Sequence, residues 1–229
     1  VALVKAESGA GKSTLVASVL EDLAQFQPKW IGFSCFIGST ERSTVAFDIL
    51  AQLNYTVNQT VAAMGSKDFI EQDQLAVNDM FLMQNQLNAN IELIGQQFQK
   101  QVLLVFDAVN ELDSTSLAMT WLPLVPPANC KYLFTTINPE SVDPGSVSGS
   151  STKRAYKSLC QRWKFDSSRS HCEHNLLPLT DIERIELFRK LIVSPRNGKA
   201  PEFSDACSLI LEKNEVSPLY LQLLAQSVK

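Results

Sequence analysis

The chain of 229 residues carries, close to its start, the run Ala6-Glu7-Ser8-Gly9-Ala10-Gly11-Lys12-Ser13-Thr14. The apolar segment Val1–Val4 precedes this run, and an amphipathic segment from Thr14 to about Phe26 follows it. A strand, a glycine-rich loop and a helix in this order form a phosphate-binding loop, because loop N–H groups and the positive end of the helix converge on an anion. We therefore expect an α/β fold that binds a nucleoside triphosphate.

The residue types of this loop suit separate tasks. Gly9 and Gly11 let the backbone curl so that successive N–H groups point inward. Lys12 would reach the β and γ phosphates, and the Ser13 hydroxyl would ligate Mg²⁺. Ala6 replaces the usual first glycine of such a loop, which a negative φ would accommodate. The residues expected to contact the phosphates are Gly9, Ala10, Gly11, Lys12, Ser13 and Thr14.

An acidic motif follows the most apolar segment of the chain. The run Leu103-Leu104-Val105-Phe106 is apolar without alternation, which is typical of a central parallel strand covered on both faces. Asp107 ends this run and is placed to hold Mg²⁺ beside the loop, directly or through a water molecule. Glu111 lies one turn further on and is placed to orient or deprotonate the attacking water. The expected catalytic residues are therefore Glu111, Lys12 and Asp107.

Short apolar runs alternate with longer helical ones along the chain, which is typical of an α/β fold. We expect a P-loop fold with a mostly parallel five-stranded sheet flanked by helices. The expected strands are Val1 to Lys5, Trp30 to Ile37, Val102 to Asp107, Tyr132 to Thr136 and Asn175 to Leu179. A long helical region is expected from about Ser43 to Gln99, and a flexible loop from Asn138 to Thr152.

The pattern becomes helical after Leu179. Thr180 and Glu183 have the spacing of a capping box, which starts a helix. We therefore expect a nucleotide-binding domain over residues 1–179 and a small, truncated helical lid over residues 180–229.

Composition excludes several classes of partner. With 45% hydrophobic and 19% charged residues, the chain can bury a full core, and its net charge of −4 gives no general attraction to nucleic acid or to an anionic membrane. The five cysteines are scattered without a CxxC pair, which favours reduced thiols in a cytoplasmic compartment. The chain starts in its first strand without Met, so we expect a piece of a longer protein.

The acidic motif carries a family resemblance. Asp107, a small residue, a hydrophobic residue, an amide and Glu111 resemble the Walker B motif of NACHT domains, which belong to the STAND class of signalling ATPases. Cys35–Thr40, at the end of the second strand, resembles the segment found there in nephrocystin-type, repeat-containing NACHT proteins. Leu177–Leu179 resembles the entry to the family's helical lid, and Val216–Leu221 resembles the family's segment near the nucleotide base.

This resemblance covers nearly the whole chain and implies a function. It implies a module that binds ATP or ADP with Mg²⁺, hydrolyses ATP slowly, and acts as a conformational switch controlling assembly. Pro218 would lie near the nucleotide base. Flanking effector and repeat domains, and a homo-oligomer of the full-length protein, are the implied partners.

The chain departs from the family pattern at two places. Asn110 stands where an aspartate is most common, and Ile137 and Asn138 follow the sensor-like strand where an arginine is usual. Thr135 or Thr136 would still donate a hydrogen bond there, and we take Thr136 as the residue that contacts the nucleotide. These departures favour tight nucleotide binding over efficient turnover.

Two other functions stay open. A nucleotide-binding scaffold with little or no hydrolysis is consistent with the departures above. A P-loop kinase would need an acceptor pocket lined with arginines, yet the segment from Gly38 to Gln99 contains a single arginine, Arg42. Mg²⁺-dependent binding with slow phosphate release would favour the switch over both.

Two further groups of residues are better explained as structure. Cys160, His171, Cys172 and His174 offer zinc ligands, but their spacing matches no known finger. A basic cluster is typical of the solvated face of an amphipathic helix, with two members, Arg154 and Arg162, as weak candidates for a positive charge acting on a neighbouring molecule. The cluster comprises Lys153, Arg154, Lys157, Arg162 and Lys164.

Overall fold

The computed structural model describes residues 1–66, 79–143, 145–165, 172–180, 182–183 and 186–187. These residues form one five-stranded sheet in the order β2-β3-β4-β1-β5, and every neighbouring pair is parallel. The strands are β1 (Ala2–Ala6), β2 (Trp30–Phe36), β3 (Gln101–Asp107), β4 (Cys130–Ile137) and β5 (Cys172–Asn175). The predicted fold class, a parallel five-stranded sheet with flanking helices, is confirmed.

Four α-helices connect the strands in the described part of the chain. They are α1 (Lys12–Phe26), α2 (Ala46–Ala63), α3 (Met80–Phe98) and α4 (Val147–Trp163). The described residues also form single turns of 3₁₀-helix at Arg42–Thr44, Val109–Glu111 and Ser116–Ala118. In the described ranges, no helix combines the length and the apolar character that a membrane span needs.

The two faces of the sheet are covered by different helices. Gly32 of β2 faces α1, where a Cβ would lie 2.3 Å from Cδ2 of Leu20. Phe33 points the opposite way, into the core cluster that α2, α3 and α4 share with the sheet. Helices therefore pack on both faces of the sheet.

Aromatic rings dominate the centre of this core. Phe134 of β4 stacks on Phe106 of β3 with ring centroids 5.3 Å apart, and Trp163 of α4 lies 5.0 Å from Phe134. The indole N–H groups of Trp121 and Trp163 donate to the carbonyls of Ser116 and Leu124, each at 2.9 Å. Burying large rings while satisfying their polar atoms stabilises the α4 side of the sheet.

The edge strand β5 is held by charged groups as well as by its ladder. Lys5 of β1 forms an ion pair with Glu173 at 2.6 Å, and the Tyr156 hydroxyl of α4 donates to the same carboxylate at 3.2 Å. Burial and the neighbouring Glu173 charge raise the pKa of Tyr156, so its hydroxyl stays protonated as a donor. This cluster joins β1, β5 and α4.

The predicted bounds of the last strand are wrong. β5 spans Cys172–Asn175 rather than Asn175 to Leu179, because it pairs from Ala2 to Lys5 of β1. Leu176 still donates to the Lys5 carbonyl, but Pro178 has no N–H with which to continue the ladder.

The predicted loop from Asn138 to Thr152 contains the first turns of α4. Ser146 caps that helix by accepting the Gly149 N–H at 2.9 Å, and this side-chain cap starts the helix at Val147.

The predicted helical region from Ser43 to Gln99 is divided. α2 ends at Ala63, and Gly65, with φ of +86°, donates to the Ala62 carbonyl at 3.0 Å. A left-handed glycine just past a helix is a frequent C-terminal stop. Residues 67–78 between the two helices lie outside the described part of the chain.

The start of the predicted lid is visible. Thr180 N–H donates to Oε2 of Glu183 at 2.8 Å, and the Glu183 N–H donates to the Thr180 hydroxyl at 3.4 Å. These hydrogen bonds form the predicted capping box and lower the pKa of Glu183. Residues 188–229, with Pro218, lie outside the described residues, so the lid domain stays a prediction.

The packing of α3 generates a test of the fold. Asn129, just before β4, donates from Nδ2 to the Ile91 carbonyl at 2.7 Å, and Gly95 provides the space for it. A Cβ on Gly95 would lie 2.6 Å from Nδ2 and 3.0 Å from Cβ of Asn129. We expect Gly95→Ala to lower the free energy of unfolding by about 1–3 kcal/mol, measured by urea denaturation.

The sign of this effect is informative, because alanine inside a helix is ordinarily more stable than glycine by about 1 kcal/mol. The control is Gln96→Ala at the exposed neighbouring position, for which we expect a change within about 0.5 kcal/mol. A Gly95→Ala chain as stable as the wild type would show that α3 does not dock through Asn129.

Candidate functional site

The strand order brings the predicted site residues to one edge of the sheet. The phosphate-loop sequence leaves the carboxyl end of β1, and Asp107 ends β3. β4 lies between these two strands, with Val105 opposite Leu133 and Lys5 opposite Thr136. Residues far apart in sequence therefore meet around the carboxyl end of β4.

The loop after β1 has the backbone shape that phosphate binding requires. Gly9 and Gly11 have φ of +76° and +91°, in the left-handed region that favours glycine. Ala6 is the buried last residue of β1 and has no positive φ, as expected for a non-glycine residue at this position.

The N-terminus of α1 is open toward this loop. Leu15 is the first residue whose N–H finds a carbonyl one helical turn back, that of Gly11 at 2.9 Å. The N–H groups of Lys12, Ser13 and Thr14 precede it and have no intrahelical acceptor. No described side chain caps the helix, and its first turn holds no acidic residue. The positive end of α1 can therefore receive an anion.

Lys12 is folded over its own loop. Its ammonium donates to the carbonyls of Glu7 at 2.7 Å and Ala6 at 3.3 Å, and only 9% of the residue is exposed. Burial lowers the pKa of Lys12, and the Asp107 carboxylate opposes this shift. The Lys12 side chain thus hydrogen-bonds to its own loop, and its ammonium lies near enough to the Asp107 carboxylate to interact with it electrostatically.

Asp107 is the centre of the site. It is 3% exposed, its Oδ2 accepts from the Ser13 hydroxyl, and its Oδ1 accepts from the Thr135 hydroxyl. Thr135 in turn accepts the Ala108 N–H at 2.8 Å. The carboxylate thus joins α1, β3 and β4. Hydroxyl and carboxylate oxygens are the ligands that Mg²⁺ prefers, so Ser13 and Asp107 fit the predicted metal pair.

Thr136 occupies a different place from Thr135. Successive strand residues point to opposite faces, so Thr136 faces away from Asp107. It is fully buried, and its hydroxyl finds no hydrogen-bond partner in the described part of the chain. The sequence predicts Thr136 as the residue that contacts the nucleotide, with Thr135 as the alternative. Knowing the register, in which Phe106 pairs with Phe134, would have placed Thr135 beside Asp107.

Glu111 is exposed at the mouth of the site and is held from two sides. Its Oε1 accepts from Nδ2 of Asn110 at 2.7 Å. Gly38, after β2, has φ of +81°, and a Cβ there would lie 3.0 Å from Cβ of Glu111. Sequence reasoning missed both supports, although a glycine directly after a strand was a signal for a close approach.

A sharp backbone turn at Ala108 sets the direction of the segment that follows β3. Ala108 has φ of 62° and ψ of 49°, a left-handed conformation that costs a non-glycine residue about 1–2 kcal/mol. The single 3₁₀ turn that follows carries Asn110 and Glu111 back over the sheet edge, and the Glu111 N–H donates to the Ala108 carbonyl at 2.9 Å.

The other candidate groups show no second site in the described part of the chain. No cluster of three metal-ligating side chains occurs within the described ranges, and His171 is outside them. Arg162 donates to the Leu122 carbonyl and lies 5.4 Å from the Trp163 ring, so this guanidinium belongs to the fold. The basic residues exposed on or just after α4 are Lys153, Arg154, Lys157 and Lys164.

The glycine loop after β1, the open helix end and the acidic residue closing β3 define a P-loop nucleoside-triphosphatase fold. The chain belongs to the family described as nephrocystin 3, N-terminal, whose family profile matches residues 1–136. The predicted resemblance to nephrocystin-type proteins is thereby confirmed at the level of this family.

Solved structures share the fold at low sequence identity. A Walker-type ATPase of Pyrococcus abyssi superposes with a TM-score of 0.56 at 15% identity, over 98% of this chain and 61% of that one. Cdc6p of Pyrobaculum aerophilum gives 0.52 at 14%, over 99% and 55%. PCH-2 of C. elegans gives 0.51 at 13%, over 99% and 54%.

Curated relatives extend well beyond this chain. Putative tetratricopeptide repeat protein 41 of Homo sapiens is 25% identical over 239 residues, covering 99% of this chain and 16% of that protein. Tetratricopeptide repeat protein 41 of Rattus norvegicus is 25% identical over 238 residues, with the same coverage of 99% and 16%. The chain thus spans a small part of the relatives that it matches.

The turn at Ala108 leads to a prediction about stability. Valine resists the left-handed conformation, whereas glycine adopts it freely. We expect Ala108→Val to lower the free energy of unfolding by about 1–3 kcal/mol, measured by urea denaturation. Ala108→Gly, as the matched control, should be no less stable than the wild type. Equal stability of the two variants would contradict a left-handed residue at this position.

Proposed function

We propose that this chain is the nucleotide-binding module of a NACHT-type, STAND-class ATPase. It binds ATP or ADP with Mg²⁺, hydrolyses ATP slowly, and works as a conformational switch that controls assembly. The observation that carries the proposal is the Asp107 carboxylate, bonded to Ser13 and Thr135 directly beside the open end of α1.

The phosphates would lie against the loop and the first turn of α1. The six consecutive residues from Gly9 to Thr14 supply N–H groups there, and Lys12 exchanges the carbonyls of Ala6 and Glu7 for phosphate oxygens. Ser13 and Asp107 would hold Mg²⁺, which would neutralise charge on the phosphate oxygens.

Glu111 is the residue placed to act on water. Its carboxylate is exposed at the carboxyl edge of the sheet and is held by Asn110 at 2.7 Å. A carboxylate in this position orients the attacking water and accepts its proton. Ile137 and Asn138 stand where an arginine would stabilise developing charge, so we expect slow turnover.

The switch would act through the chain that leaves the sheet. β5 pairs with β1, the strand that enters the phosphate loop, and the capping box at Thr180 follows β5 after four residues. A nucleotide changes such an arrangement only by binding its two forms with different affinity. We propose that residues 180–229 form the lid, with Pro218 near the base.

The setting of the module is also a proposal. Relatives named for tetratricopeptide repeats contain this segment as 16% of their length. We propose that this chain likewise works beside repeat and effector domains, forms homo-oligomers in the full-length protein, and acts in the cytoplasm without membrane or nucleic acid as partner.

A scaffold with little or no hydrolysis is the second candidate, and the absent sensor arginine favours it. A P-loop kinase is the third. Binding without phosphate release would favour the scaffold, and a phosphorylated acceptor would favour the kinase.

Binding is the first property to measure. We expect isothermal titration of ATP, on nucleotide-free protein with Mg²⁺, to show binding that Lys12→Ala abolishes, because Lys12 supplies the mobile cation of the loop. Omitting Mg²⁺ should weaken the wild type.

Lys157→Ala, at an exposed position on α4, is the control and should bind as the wild type does. Circular dichroism checks that Lys12→Ala is folded. Equal ATP affinity in Lys12→Ala and the wild type would exclude the loop as the binding site.

Hydrolysis is tested separately. We expect Glu111→Gln to keep ATP affinity within about twofold and to slow phosphate release by about 10²-fold or more, since it removes the proton acceptor but keeps the shape. Single-turnover release of phosphate is the measurement. Unchanged release in this variant would show that another group handles the water.

A further inference from the structure

We infer that Asn110 is a positioning residue that couples the end of β4 to Glu111, an inference that rests on the proposed hydrolysis. Asn110 is 4% exposed and lies between two polar partners. Its Oδ1 accepts the Ile137 N–H at 3.2 Å, and its Nδ2 donates to Oε1 of Glu111 at 2.7 Å. The side chain therefore bridges the strand end and the carboxylate.

The partners determine which way the amide points. A backbone N–H can only donate and an ionised carboxylate can only accept, so Oδ1 must face Ile137 and Nδ2 must face Glu111. Both interactions use a buried amide whose loss would leave the Ile137 N–H without this acceptor. The arrangement needs one donor and one acceptor on the same short side chain.

An aspartate at position 110 could make only half of this bridge. Its carboxylate would accept from Ile137 but would stand, negatively charged, beside Glu111. Asparagine replaces that repulsion by a hydrogen bond. Asparagine in place of the aspartate that the resembled family commonly has at position 110 therefore changes how Glu111 is held and does not remove a catalytic group.

The strand end at Ile137 is connected to the phosphate loop. Ile137 pairs with Ala6, and the next residue, Asn138, donates to the Ala6 carbonyl at 2.8 Å. The same carbonyl accepts from Lys12 at 3.3 Å. When Lys12 turns to a phosphate, this carbonyl loses one donor at the strand end that Asn110 links to Glu111.

Two variants separate the halves of the bridge. Asn110→Asp keeps the acceptor for Ile137 and loses the donor to Glu111, whereas Asn110→Ala loses both. We expect Asn110→Asp to leave the hydrogen-exchange rate of the Ile137 amide unchanged and to keep ATP affinity within about twofold. The same variant should slow phosphate release about tenfold. Asn110→Ala should also accelerate exchange of the Ile137 amide.

Controls distinguish positioning from simple destabilisation. Asn85→Asp adds the same charge at an exposed position of α3 and should leave release and exchange unchanged. In a Glu111→Gln background, Asn110→Asp should slow release no further, because the group that it positions is gone. A purely structural role would slow release in both backgrounds.

Two NMR measurements test the bridge without requiring ATP hydrolysis. The side-chain amide signals of Asn110 in a ¹⁵N NMR spectrum should shift in Glu111→Gln. Unchanged Asn110 signals, or equal Ile137 exchange in Asn110→Ala and the wild type, would overturn the bridge. Wild-type release in Asn110→Asp would overturn the positioning role. ATP binding without release in the wild type would instead refute only the hydrolysis, with the bridge decided by the NMR readouts.

Discussion

The buried carboxylate of Asp107 is the constraint on which the rest of the site depends. A carboxylate that is 3% exposed needs hydrogen-bond donors, because burying such a polar group without partners costs several kcal/mol. Ser13 and Thr135 supply those donors from α1 and β4, and the nearby Lys12 adds a positive charge. Because these hydrogen bonds meet at one carboxylate, they fix α1, β4 and the end of β3 relative to one another. The same three elements are those that a bound phosphate and its metal would touch.

Backbone geometry around this carboxylate is specialised in a consistent way. The glycines of the phosphate loop, Gly38 after β2, and Ala108 after β3 all have positive φ. Each of these turns lies at the carboxyl edge of the sheet. Left-handed residues are costly for side chains other than glycine and are found where a loop must change direction abruptly. At Ala108 the result is a 3₁₀ turn that carries Asn110 and Glu111 over the strand ends. The strained non-glycine residue Ala108 thus lies where the proposed chemistry needs side chains in fixed places.

The likeness to solved structures at 13–15% identity is a likeness of fold. Sheet order, loop shape and a buried acidic residue can persist while most side chains change, and such a fold hosts many functions. The particular function must therefore be argued from details of this chain. Here those details are the amide of Asn110, the residues Ile137 and Asn138 at the end of β4, and the ionic cluster of Lys5, Glu173 and Tyr156 that anchors β5.

The sequence by itself determined the phosphate loop, the acidic residue after the apolar strand, and the parallel α/β class. Each of these depends on local signals: a glycine spacing, an apolar run without alternation, and alternating strand and helix patterns. Only the tertiary structure decided that Thr135 rather than Thr136 meets Asp107, that Asn110 bridges Ile137 and Glu111, and that β5 pairs from Cys172. These facts depend on which strands are neighbours and on their register. A shift of one residue reverses the face of every side chain, and no local pattern records the partner strand.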